Sequence, residues 1–119
     1  MEGSLESYLD SAENAFANGM MQSAERFCRE ALAINERCAG AWNILGRIAL
    51  INNQIDIAEE FTSAACEIEP QNPVYPISLG EVFLGAGDFA KAEELAKGII
   101  EKDPKTVPGA VLLGRALAS

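Results

Sequence analysis

Residues 85–90 read Gly85-Ala86-Gly87-Asp88-Phe89-Ala90, a loose match to the GxGxxA turn that cradles a dinucleotide pyrophosphate. That chemistry needs a strand before the first glycine and a parallel sheet around it. The residues ahead of Gly85 read as helix, and no segment reads as parallel sheet. The expected role is a turn between two helices, with Asp88 capping the second. Adjacent carboxylates stand at Glu59-Glu60 and Glu93-Glu94. A carboxylate pair can act as acid and base, but neighbours on a helix point about 100° apart and do not face one another. They read as a solvated outer face. Serine and cysteine nucleophiles need a base, and the sequence contains no histidine. Lys91, Lys97 and Lys102 fall on one helix and lack the apolar setting of a reactive lysine. Cys28, Cys38 and Cys66 are an odd number at irregular spacing, without a CxxC pair. They imply neither a disulfide framework nor a metal site, and read as small apolar residues of a reducing cytosol. No catalytic residue, cofactor or metal is expected, and the chain reads as non-enzymatic.

The elements that carry these residues belong to one small domain of 119 residues. A hydrophobic fraction of 49% and a charged fraction of 23% are ordinary for a globular chain. The net charge of −9 argues against nucleic acid, which needs clustered Lys and Arg, and against an anionic membrane surface. No apolar stretch approaches the roughly 18 residues of a membrane span. The acidic start, Met1-Glu2-Gly3-Ser4, does not read as a secretory leader. A cytoplasmic location is the expectation.

Three segments align at a spacing of 34 residues. The clearest is Trp42-Asn43-Ile44-Leu45-Gly46, followed by Ala49, Ala58, Ala65 and Pro70. The same frame gives Leu79-Gly80, Phe83, Ala92, Ile99 and Pro104 one step later, and Tyr8, Ala12, Ala15, Ala24 and Ala31 one step earlier. Leu113-Gly114 and Leu117 restart it. Asn18-Gly19, Asn52-Asn53 and Gly87-Asp88 put turn residues in register. Each half-repeat of about 14 residues is too short to be a stable helix alone, but two can pack as an antiparallel hairpin. Gly46 with Ala58, and Gly80 with Ala92, would allow close approach. Trp42 is expected to pack inside its helical pair. Asn72-Pro73 and Thr106-Val107-Pro108 read as helix starts, and Pro70 and Pro104 as stops. Pro76 is expected to bend or delay the start of its helix.

This pattern resembles the tetratricopeptide repeat (TPR) family over nearly the whole chain. Repeats would run about 5–38, 39–72 and 73–106, with a terminal helix at 107–119. Repeat 1 departs most, with Ser11-Ala12 in place of Leu-Gly and Glu36 in place of Pro. The resemblance implies an all-α, right-handed superhelix of helical hairpins. It also implies a concave groove, lined by the first helix of each repeat, that holds a protein or peptide ligand. Carried onto this sequence, the lining slots fall on Leu9, Glu13 and Phe16 in repeat 1, and on Asn43, Ile44, Arg47 and Leu50 in repeat 2. Ile77, Glu81 and Leu84 follow in repeat 3, and Val111, Leu112 and Arg115 in the last helix. One subgroup of the family grips chaperone C-terminal carboxylates through a Lys/Asn/Arg clamp. Its slots here hold Leu9, Glu13, Ile44, Val74 and Ser78, which cannot form it.

The apolar content of the lining suits an apolar peptide or an amphipathic helix. Glu13, Arg47, Glu81 and Arg115 form a charged line that either pairs internally or reads ligand charges. The last helix carries Val111, Leu112, Leu113, Ala116 and Leu117 on more than one face. Three readings stay open there: a piece of a longer repeat protein, self-association as a homo-oligomer, or residues that complete the third repeat's core. The expected function is an interaction scaffold, with self-assembly, or service as an accessory module of a larger protein such as a transferase, as alternatives.

Overall fold

In the computed structural model, which describes residues 4–118, the helical periodicity resolves into seven helices and no strand. They are α1 (Leu5–Ala17), α2 (Met21–Ile34), α3 (Ala39–Ile51), α4 (Ile55–Ile68), α5 (Val74–Ala86), α6 (Phe89–Lys102) and α7 (Val107–Leu117). The even-numbered helices begin at residues 21, 55 and 89, which are 34 apart. Successive helices pack in antiparallel pairs, and α1, α3 and α5 each also touch the next odd-numbered helix. The result is an all-α TPR-type solenoid with extents of 48 × 28 × 22 Å.

Local chemistry sets the ends. Ser4 caps α1 by accepting from the Ser7 amide at 3.1 Å, Asp88 caps α6 from the Lys91 amide at 3.2 Å, and Thr106 caps α7 from the Gly109 amide at 3.1 Å. The three turns inside the hairpins share one left-handed residue, at Gly19 (φ 78°), Asn53 (φ 61°) and Gly87 (φ 79°). Glycine adopts that conformation freely, and asparagine is the side chain that tolerates it best. In the first turn the Asn18 side-chain amide donates to the Asn14 carbonyl, and the Gly19 amide donates to Phe16. Pro76 does not delay α5, which begins at Val74. Pro76 is the helix's third residue, and an amide there has no intrahelical acceptor to lose.

The core is continuous through repeats 1 and 2. Ala12, Ala15, Ala24, Cys28, Ala31, Cys38, Ala41, Ile44, Leu45 and Ile48 form its main cluster. Small residues let α3 and α4 close. A methyl on Gly46 would stand 2.6 Å from Thr62 Cγ2 and 3.3 Å from the Ala58 carbonyl. Thr62 satisfies its buried hydroxyl by donating to the Ala58 carbonyl at 2.8 Å. Gly80, one repeat on, is used differently. The space beside it is taken by Leu112 of α7, not by α6. The C-terminal core is a separate cluster of Ala96, Ile99 and Leu112, with Ile77, Leu84, Leu95 and Leu113 packed on it.

Candidate functional site

The face made by α1, α3, α5 and α7 collects the residues that the 34-residue frame assigns to a groove. Their exposure differs by slot. Glu13, Arg47 and Arg115 are exposed, and Glu81 is half-buried. Leu9, Phe16, Leu50, Ile77 and Leu84 are half-buried. Ile44 (3% exposed) and Leu112 (2%) are core residues: Ile44 offers a ligand almost no surface, which departs from the sequence expectation, whereas Leu112 still forms part of the floor of a depression on this face. Both occupy one slot, which is buried at these two positions and at Ser78 but exposed at Asp10 in repeat 1. Ile44 packs among Ala12, Ala15 and Cys28, and Leu112 fills the space over Gly80. Asn43, at 5% exposed, is also buried, and its Oδ1 accepts no hydrogen bond.

Two of the half-buried leucines join helices. Leu9 lies against the backbone at Gly40, where a methyl would meet its Cδ2 at 2.9 Å. Leu50 lies against Gly85 at the same distance. They bind α1 to α3 and α3 to α5. What remains for a ligand falls into two regions. Near the N-terminal end, the Arg47 guanidinium sits 4.5 Å above the Phe16 ring, an arrangement that leaves a flat cationic surface. At the C-terminal end, Ile77, Glu81, Leu112 and Arg115 gather around a depression of about 320 Å³, completed by Val107, Pro108 and Val111. Glu81 and Arg115 approach to 3.9 Å across its edge. The charged line is therefore not a uniform ladder: Arg115 meets a carboxylate, and Arg47 meets an aromatic ring. Val107 and Pro108 were not among the sequence candidates. They belong to the helix start, where the capping pattern hid their position on the groove face.

Cys28 and Cys66 lie on α2 and α4, off this face. Burial pushes the Cys28 thiol up to about 12, with Cys38 and Glu25 adding to the rise. Burial also raises Cys66. Among the described residues no group of three or more His, Cys, Asp or Glu is placed to hold a metal ion. The Gly85–Ala90 segment is the turn that the sequence suggests, with Gly87 closing α5 and Asp88 opening α6.

A larger cleft, of about 760 Å³, opens on another side, between α5, α6 and the α4–α5 connection. None of the sequence-predicted groove residues lines it. The signal that could have found it is the slot of Trp42, which in repeat 3 holds Pro76.

Comparison with known proteins places the fold. No family model and no curated protein matches the sequence. Solved structures match closely in shape. A mutant of the Thermobaculum terrenum O-GlcNAc transferase superposes with a TM-score of 0.88 at 22% identity, over 95% of this chain and 22% of the transferase. This chain thus spans about a fifth of that enzyme's length. The Arabidopsis OM64 TPR domain gives 0.85 at 17% identity, over 96% of this chain and 94% of the domain. The first TPR of Spaghetti (RPAP3), bound to the HSP90 peptide SRMEEVD, gives 0.84 at 13% identity, over 97% and 96%. The chain has the TPR fold, shared with domains that bind peptides.

Proposed function

We propose that this chain is a non-enzymatic interaction scaffold that holds an apolar peptide or amphipathic helix on its first-helix face. The observation that carries this reading is the depression lined by Ile77, Val107, Pro108, Val111 and Leu112, with Glu81 and Arg115 at its edge. An apolar floor with a polar rim is how an interface concentrates its binding energy. The Phe16–Arg47 pair supplies a second contact point along the same face. The Spaghetti domain binds an acidic HSP90 peptide. The slots of a carboxylate clamp here hold Leu9, Glu13, Ile44, Val74 and Ser78, and a chain of net charge −9 disfavours an acidic tail. The ligand is therefore apolar in its centre and not an acidic C-terminus. A cytoplasmic setting goes with this reading, and no described helix is long and apolar enough to cross a membrane.

The test is affinity capture from lysate with wild type, Arg47→Glu and Val111→Glu. Both altered residues are exposed, so the fold should survive, as circular dichroism would check. A shared partner lost by both variants supports the groove. A partner kept by both refutes it. A second reading, self-association through α7, rests on the exposure of Val107, Val111 and Leu117. A mass that rises with concentration for wild type, but not for Val111→Glu, would favour it.

A further inference from the structure

The 760 Å³ cleft beside α6 has a counterpart inside the same molecule, and there it is full. In repeat 2 the Trp42 indole lies 5.2 Å from the Phe61 ring, packs with Ala39, Ala65 and Ile68, and donates its Nε1 hydrogen to the Glu36 carbonyl at 2.9 Å. Moved on by 34 residues, those partners become Leu95, Pro73, Ile99, Lys102 and Pro70, and all five line the cleft. The indole itself becomes Pro76. Its neighbour ring has shrunk to Leu95, and Tyr75, which closes the Trp42 cluster, has become Gly109. The acceptor survives. The Pro70 carbonyl accepts no hydrogen bond from any described residue. Repeat 3 keeps the walls and the acceptor of an indole site and lacks the indole.

We propose that this cleft receives a tryptophan side chain presented by a partner peptide, with the ring against Leu95 and Ile99 and the indole N–H donating to the Pro70 carbonyl. The rim favours a peptide over a free aromatic molecule. Lys91, Glu94, Glu101 and Asp103 surround the opening with charges of both signs, which can meet backbone and flanking polar groups. The cleft shares no lining residue with the depression on the first-helix face. The two sites can therefore succeed or fail independently.

The experiment titrates N-acetyl-L-tryptophanamide, N-acetyl-L-leucinamide and free indole into ¹⁵N-labelled protein. Saturable shifts at the Leu95, Gly98 and Thr106 amides are expected with the tryptophan probe, and weaker ones with the leucine probe. Pro76→Trp should fill the cleft from within. It should weaken the tryptophan probe about tenfold or more and raise the melting temperature above that of Pro76→Ala, which should still bind. Gly98→Leu blocks the cleft from α6, where an added methyl meets nothing within 4 Å, and serves if Pro76→Trp folds poorly. Shifts confined to Ile77, Val111 and Arg115, or equal responses to both capped residues, would overturn the proposal. So would undiminished binding by the filled variants. Free indole binding as tightly as the capped tryptophan would assign the cleft to a small molecule and overturn the peptide.

Discussion

Single residues in this chain act mostly through size. Gly46 is the clearest case, because Thr62 stands where its side chain would grow. Gly46→Ala should cost roughly 1–3 kcal/mol in chemical denaturation. A Thr62→Ser background removes the offending methyl and should return part of that loss. The Thr62 amide, 3.2 Å from the added methyl, prevents full recovery. Cys28 acts through its proton. Its folded-state thiol is raised to about 12, against an ordinary value near 9.0. Between those values the folded chain keeps a proton that the unfolded chain releases, so rising pH favours unfolding. The stabilisation is complete below about pH 9 and falls away toward 12. Tyr75, also raised by burial, adds to it with the same sign. Denaturation followed across that range should show the decline, and Cys28→Ser should flatten it. At pH 8 Ellman's reagent should reach half-buried Cys66 first and Cys28 only on unfolding.

Helices and turns show how far the sequence could be read. Period, hairpin pairing and caps were legible because they rest on residue types with few uses: glycine or asparagine in a left-handed turn, threonine or aspartate before a helix, proline after one. The groove was legible only by slot. A 34-residue frame says which helix face a residue occupies, but not how deep the neighbouring repeat sits. Ile44 was therefore assigned to the lining although it is core, and Leu112, equally buried, reaches the face only as the floor of the depression. Gly80 and Ala92 were paired by the same logic, and the structure gives that space to Leu112. Two substitutions test the element scale. Gly98→Ala, in open space on α6, should stabilise by roughly 0.5–1 kcal/mol in thermal denaturation. Gly87→Ala forces a methyl into φ 79° and should destabilise by about 1 kcal/mol or more.

Across the whole molecule, the hydrophobic core thins from one end to the other. Repeats 1 and 2 share the large cluster and α5 is tied to repeat 2 through Tyr75 and Val82, while α6 and α7 depend on a small cluster centred on Leu112, against which α5 sets Ile77 and Leu84. In a solenoid each repeat is stabilised chiefly by its neighbours. Leu112→Ala should therefore cost about 2–5 kcal/mol and loosen the C-terminal end selectively. Hydrogen exchange would check this: amides of α5–α7 should lose protection while those of α3 and α4 keep it. Uniform loss would mean that the solenoid unfolds as one unit. The first turn sets a different kind of limit on the molecule. Asn18-Gly19 is the dipeptide most prone to spontaneous deamidation, in which the glycine amide nitrogen attacks the asparagine side chain to form a succinimide. In the fold that nitrogen's hydrogen is held by Phe16, and the asparagine amide is held by Asn14. Chemical ageing at Asn18 is thus tied to opening of the α1–α2 hairpin, and the slow gain of one negative charge during storage would record how often that hairpin opens.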